Sequence, residues 1–296
     1  MTVLLELCSA ESVNVQNGNN CESAALTINA KLIVLAVKEA SSRLVVCFSD
    51  SKGQTFRRDM PRLYNELWDA CMDAGKFNLD TVVLEDDSAS IIGRDQSITV
   101  VLNAGPEIDT CAMKSSTIKL KSLDFDLQEE ANGVRYHLFD NPAEELPVFK
   151  KVAVGGTFDH FHNGHKKLLS ICAMVTTEEL IVGVTDDAML GQKKLKEFIE
   201  DLDERRGHVS KYIETLGRLS LFANVCVISD LWGPTVTVAD VQALVCSTET
   251  LKGARLINEE RVKRGMQPLQ VVAVARSNTY VLSSTFMRRL KADSNI

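Results

Sequence analysis

The sequence is poor in features that announce a function on sight. No apolar run approaches the roughly 18 residues of a membrane span. The opening MTVLLELCSAES has no basic leader, and its apolar part is too short for a signal peptide. It reads as a first strand in a cytoplasmic protein. Cysteine occurs eight times, yet never as C-x-x-C, and neighbouring cysteines stand 13 or more residues apart. That scatter argues against a zinc ribbon and, without a secretory signal, against a disulfide framework. The thiols are expected to be buried and reduced. Neither G-x-x-x-x-G-K-[ST] nor G-x-G-x-x-G occurs, so kinase-like phosphate cradling and a dinucleotide fingerprint are unsupported.

What is present is an ordinary globular composition, 45% hydrophobic, 25% charged and 6% aromatic. The 296 residues suffice for two modest domains. The net charge of −7 hides an asymmetry. Residues 1–146 carry 13 basic against 23 acidic side chains, and residues 147–296 carry 20 against 17. A mildly basic C-terminal half suits a small polyanionic ligand and is too weakly basic for nucleic acid. The polar, acidic stretch 128–147 holds Asn-Gly and Asn-Pro turn signals. It places the expected boundary between domains 1–146 and 147–296.

The N-terminal half reads as a mixed α/β domain without a chemical motif. KLIVLAV (31–37) and RLVVCFS (43–49) suggest two strands of a hairpin. MPRLYNELWDACMDAG (60–75) suggests a helix capped by Asp59, with Pro61 in its first turn, Gly75 as its stop, and Leu63, Leu67 and Ala70 on one face. Residues 81–85 and 97–104 read as strands, and 116–127 alternates as a half-exposed one.

The C-terminal half alternates near-continuous apolar strands with helices, the pattern of a doubly wound parallel sheet covered on both faces. Strands are expected at 150–156, 180–185, 224–230, 241–247 and 269–275, and helices at 165–175, 203–217, 248–265 and from 283 onward. Ligands of such a fold bind beyond the carboxyl ends of the strands. Gly156–Thr157, Asp186–Asp187, Asp230 with Trp232–Gly233–Pro234, Ser247–Thr248 and Arg276 would then share one rim.

Residues 152–169, VAVGGTFDHFHNGHKKLL, hold three of the five histidines. Their H-x-H-x2-H spacing lacks the i, i+4 arrangement of a helical zinc site and has no further ligand at suitable spacing, so no metal site is expected. A phosphate site fits better. Gly155 and Gly156 end a strand, Thr157 offers a hydroxyl, and a helix N-terminus follows. His162 and His165 can place two imidazoles over one phosphate, and Gly164 lies between them. His160 reads as structural, and His137 and His208 as surface residues.

The stretch G-G-T-F-D-x-F-H-x-G-H-x-x-L-L resembles the first signature of the HxGH nucleotidyltransferase superfamily. Leu282-Ser283-Ser284-Thr285-Phe286-Met287-Arg288 resembles its second, I-S-S-T-x-x-R, about 120 residues on. Within the superfamily the chain is most similar to the eukaryotic-type phosphopantetheine adenylyltransferases, including the corresponding domain of bifunctional coenzyme A synthase. VGVTDDAMLGQKKLKEFIEDLDER, DLWGPT and STETLKGARLINEERVKRG carry that likeness, which covers about residues 150–290. The N-terminal half looks like the extra domain of fungal relatives. Three positions depart from the family pattern: Lys252 stands where Arg is frequent, Leu282 precedes the serines, and Met287 replaces a basic residue.

The resemblance implies a Rossmann-like nucleotidyltransferase fold and adenylyl transfer from ATP to 4′-phosphopantetheine, giving dephospho-CoA and pyrophosphate. It implies Thr157, His165 and Lys193 as catalytic, with Lys194 as the alternative lysine. It implies Gly155, Gly156, Phe158, His162, Gly164, Ser283, Ser284, Thr285 and Arg288 at ATP, and Lys194, Lys252 and Arg255 at substrate phosphate. Mg2+ is expected with ATP, and assembly with other enzymes of coenzyme A synthesis by family analogy. Dephospho-CoA kinase activity is not expected, because no Walker A loop occurs. Blander readings stand beside these. Lys193 and Lys194 suit a solvated helix face, Arg255 an i,i+4 ion pair with Glu259, and Ser283–Ser284 a helix cap. Asp186, Asp187 and Asp230 suit turn caps. A cytidylyltransferase, a mononucleotide adenylyltransferase and a non-catalytic scaffold are the rival functions.

Overall fold

In a computed structural model of the chain, residues 1–7, 21–48, 54–85, 90–91, 94–95, 97–103, 136–138, 147–217, 221–275, 280 and 283–294 are described. The chain forms two units, Met1–Phe125 and Asp126–Ile296. The expected strand at 116–127, Arg276 and Leu282 lie outside the described residues.

The first unit contains β1 (Thr2–Leu7), α1 (Cys21–Glu39), β2 (Arg43–Phe48), α2 (Gln54–Asp73), β3 (Asp80–Val83) and β4 (Ile98–Asn103). Its sheet runs β3-β2-β1-β4, with every pairing parallel. The expected hairpin does not form, because residues 31–37 are helical. Ile33, Ala36, Val37 and Ala40 are buried at helical spacing, while Val34 and Leu35 stay exposed. The apolar run therefore has period 3.6, and the β-branched residues were a misleading local signal. Lys76 Nζ caps α1 by donating to the carbonyls of Val37, Lys38 and Ala40 at 2.9, 2.6 and 2.6 Å. Helix α2 begins at Gln54, before Asp59, so Asp59 is not its cap and Pro61 lies inside it. Leu63, Leu67 and Ala70 are buried as its spacing predicts.

The second unit contains β5 (Tyr136–Leu138), β6 (Phe149–Gly156), α3 (Asn163–Val175), β7 (Thr176–Thr185), α4 (Leu202–Thr215), β8 (Phe222–Ile228), β9 (Ala243–Ser247), α5 (Leu251–Lys263), β10 (Gln270–Val274) and α6 (Ser284–Ser294). All six strands are parallel, in the order β5-β10-β9-β6-β7-β8. Strand β5 belongs to this sheet although it precedes residue 147. Side chains alternate between faces. Ala153, Ile181, Leu244 and Val271 form one face and pack with Ala254 and Ile257 of α5. Parallel crossovers are right-handed, and from the strand order that rule places α3 and α4 on the other face. Among the described residues, no helix is long and apolar enough to cross a membrane.

A buried arginine and a buried asparagine fasten the loops of this unit. Arg261 donates to the carbonyls of Thr235, Val238, Ala239, Val241 and Gln267. It thereby closes the connection between β8 and β9, and burial lowers its pKa. Asn258 exchanges two hydrogen bonds with Leu269, at 3.0 and 2.7 Å. Both residues lie within the STETLKGARLINEERVKRG stretch, and both are structural here.

Candidate active site

The sheet reverses direction between β6 and β9. From β6 the chain steps outward to β7 and β8, and later from β9 to β10. A crevice opens beyond the strand ends at such a reversal. Gly156 ends one neighbouring strand, with Thr157 next, and Ser247 ends the other, with Thr248 next.

The loop after β6 turns sharply. Phe158 and His160 both take left-handed backbone conformations, with φ of 53° and 46°. Phe158 is buried, and a Cβ on Gly156 would stand 3.2 Å from its ring. Gly156 thus makes room for Phe158. His162 then caps α3 and His165 occupies the third helical position. His162 Nδ1 accepts from the Gly164 N–H at 3.2 Å, and His165 Nδ1 accepts from the His162 N–H at 3.4 Å. The His165 N–H donates to the His162 carbonyl at 2.8 Å. The two rings stack with centroids 3.8 Å apart, and Phe158 and Phe161 flank His165 at 5.3 and 5.6 Å. With both Nδ1 atoms accepting, each neutral ring carries its proton on Nε2. The turn therefore offers imidazole donors, while the backbone N–H groups of Gly164 and His165 serve the cap.

Residues 191–198 form turns instead of a solvated helix, ending in a 3-10 turn at Lys196–Phe198. Lys193 and Lys194 are both exposed. Partial desolvation and the nearby Arg288 and Arg205 hold the Lys193 ammonium below the usual lysine pKa, with Asp159 opposing. Lys252 and Arg255 are exposed on the first turns of α5. Ser283 Oγ accepts from the Phe286 N–H at 3.2 Å, which makes it the cap of α6, and Ser284 opens that helix. Thr285 Oγ1 accepts from Arg288 Nη2 at 3.0 Å. Arg288 itself turns inward, 2% exposed, and pairs with Asp159. Asp186 and Asp230 serve turns, accepting from the N–H groups of Ala188 and of Trp232 and Gly233. Asp187 pairs with Arg205.

Three residues with structural control over the site were not assigned from the sequence. Asp159 is fully buried. Arg205, also fully buried, donates to the carbonyls of Thr157, Thr185 and Glu200 at 2.9, 2.8 and 2.9 Å. Glu200 accepts the His160 N–H at 2.8 Å. A signal for Arg205 existed: it shares a helical stripe with buried Val209 and Tyr212, four and seven residues on. A cation on an apolar stripe needs a buried partner. No comparable signal marked Glu200, whose N–H and carboxylate bond the distant histidine loop.

Residues 153–290 match the Cytidylyltransferase-like family. The chain is 41% identical over 172 residues to the phosphopantetheine adenylyltransferase of Saccharomyces cerevisiae, across 54% of this chain and 56% of that protein. It is 37% identical over 129 residues to the phosphopantetheine adenylyltransferase of Methanopyrus kandleri, across 44% of this chain and 80% of that protein. The chain belongs to the phosphopantetheine adenylyltransferase family. A further member, from Pyrococcus furiosus, is 36% identical over 128 residues, which is 77% of its length. The chain spans little more than half the length of its Saccharomyces cerevisiae relative. The archaeal family members align with less than half of this chain.

Proposed function

We propose that the protein transfers the adenylyl group of ATP to 4′-phosphopantetheine, releasing pyrophosphate and forming dephospho-CoA. The observation that carries this reading is the stacked His162–His165 pair, capping α3 in the loop that follows Thr157 at the reversal point of a parallel sheet. The names of the family relatives supply the substrate pair.

The reaction needs little acid–base chemistry. A phosphate oxygen of 4′-phosphopantetheine attacks the α-phosphorus of ATP. The bond from that phosphorus to the bridging oxygen breaks, and pyrophosphate leaves with the electron pair. The nucleophile is already anionic, so the protein's task is positioning and charge stabilisation. In this scheme Thr157 donates to the α-phosphate or the incoming phosphate. His165 stabilises the α-phosphoryl oxygens through its Nε2–H, and His162 does the same at the β or γ phosphate. Lys193 screens the repulsion between the two anions, with Lys194 as the neighbouring alternative. The α6 start at Ser283–Thr285 holds the outer phosphates, and Lys252 and Arg255 face phosphate of either substrate.

Magnesium is expected to arrive with ATP, held mainly by phosphate oxygens and water, and to neutralise polyphosphate charge. Asp159, His160 and Glu200 have ligand atoms within 4.8 Å of one another, but they do not fit as its cage. Asp159 is engaged by Arg288 and by the Glu200 N–H, and His160 Nε2 by the Phe198 carbonyl.

The test is pyrophosphate release from ATP, 4′-phosphopantetheine and Mg2+, with His165→Ala beside the parent. Release is expected from the parent, lowered on the order of 10²–10³-fold in the variant. Release that survives the substitution would move the site elsewhere. Turnover with CTP and another phospho-acceptor would indicate a cytidylyltransferase. Silence with every pairing would favour the scaffold.

A further inference from the structure

Asp159 meets two segments remote from its own. Its Oδ2 receives Arg288 Nη1 of α6, 129 residues on. Its Oδ1 receives the Glu200 N–H at 2.9 Å, 41 residues on. The same segments are joined again close by. Arg288 Nε donates to the Lys194 carbonyl at 3.1 Å. The Glu200 carboxylate takes the His160 N–H, and the Phe198 carbonyl bonds His160 Nε2 at 2.8 Å. The lysine segment 193–200 is thus held at Lys194, Phe198 and Glu200 by the histidine loop and α6. It contains little regular structure of its own, one 3-10 turn, and its lysines are exposed. Its shape depends on those outside contacts.

A buried carboxylate and a buried guanidinium are costly to desolvate, and pairing a buried charge is weak evidence for stability alone. Such a pair is well suited to fixing register between segments. Here the registered parts are the histidine cap, the lysine turn and the start of α6.

We propose that Asp159 is a positioning residue that, through Arg288 and the Glu200 amide, sets the lysine segment and α6 in place against His162 and His165. This rests on the adenylyl-transfer reading for its kinetic meaning, while the mechanical lock stands independently of the substrate. Arg288 on this account acts through Asp159 and Lys194, and its guanidinium is not an outer-phosphate ligand.

The experiment uses the full chain. Asp159→Asn keeps an oxygen for the Glu200 N–H and removes the charge that Arg288 needs. Its kcat is expected to fall about tenfold to a hundredfold, the scale of a small misplacement of reacting groups. KM for ATP should rise by a smaller factor than kcat falls, because the contacts of the histidine turn to the nucleotide remain and only those of the α6 start loosen. Arg288→Gln should behave alike. The double variant should be no slower than the slower single, within about threefold, because both changes open one lock. Effects that multiply would overturn the proposal and make Arg288 an independent phosphate ligand.

A second readout needs no substrate. In Asp159→Ala, hydrogen exchange should quicken in peptides covering 193–200 and stay unchanged in β7 and β9. Unchanged exchange at 193–200 would also overturn the lock. If Asp159→Ala does not fold, the same exchange is read on Arg288→Lys, whose single ammonium cannot serve Asp159, Lys194 and Thr285 together. A parent without pyrophosphate release would sink adenylyl transfer, and the exchange data would still decide the lock.

Discussion

Arg205 holds the carbonyls of Thr157 and Thr185 on one nitrogen, Nη1, at 2.9 and 2.8 Å. It therefore ties the end of β6, where the candidate catalytic hydroxyl sits, to the end of β7. Arg205→Met keeps the apolar stem and leaves three carbonyls and Asp187 without this partner. Unsatisfied buried groups cost about 1–3 kcal/mol each, so a loss of about 3 kcal/mol or more is expected. Urea unfolding should show a lower midpoint at unchanged slope. A midpoint within error of the parent would mean that water replaces the guanidinium freely.

Gly156→Ala should act on rate before stability. Its new Cβ would lie 3.2–3.4 Å from three atoms of the Phe158 ring, and Phe158 flanks His165. A displacement of a few tenths of an ångström there moves the imidazole. Pyrophosphate release should drop about tenfold or more while the melting curve shifts little. Parent-like release would show that the Phe158 ring yields without disturbing His165.

The pH dependence should carry a lysine signature. Lys193 has a lowered pKa, from desolvation first, then from Arg288 and Arg205, against Asp159. A lowered value means that the ammonium loses its proton at lower pH than an ordinary lysine. Screening requires the charged form, so kcat should fall as pH rises through that lowered value. In Lys193→Arg this basic limb should disappear, because a guanidinium stays protonated. A limb of the same position in the variant would assign the titration to another group.

Thiol chemistry should be slow at two cysteines of the second unit. Cys172 and Cys246 are buried, and burial raises both thiol pKa values, that of Cys246 to about 11. The thiolate is the reactive form, so little of it exists near pH 8. Peptide mapping after iodoacetamide should find both unlabelled in the folded chain and labelled in urea. Rapid labelling of either in the folded chain would contradict the burial.

The second unit was largely legible because its signals are local. Apolar runs at 150–156, 180–185 and 269–275 can be little other than buried strands, and the helices between them carry clear periodicity. The pair of motifs at 155–165 and 283–288 named the family before any geometry. The first unit was harder. Residues 31–37 combine β-branched side chains with an apolar stripe of helical period, and propensity pointed the wrong way. Asp59 resembled a helix start that α2 in fact passes through. In the site, His162 and His165 were visible as a motif. Their mutual capping, which fixes each neutral ring's proton on Nε2, was not.

The sequence by itself determined the elements of the second unit from β6 onward and the order of its motifs. These follow from hydrophobic period, glycine and chain order, which are properties of neighbouring residues. The tertiary structure alone decided what the buried charges do. Asp159, Glu200, Arg205 and Arg288 stand inside the quoted motifs, but a motif names no partner for them, and a charge leaves water only where a partner meets it. Those partners lie 41 to 129 residues from Asp159, and 20 and 48 residues from Arg205 at the strand-end carbonyls it binds. No local pattern encodes such a meeting, because it exists only after the sheet has brought the strand ends together.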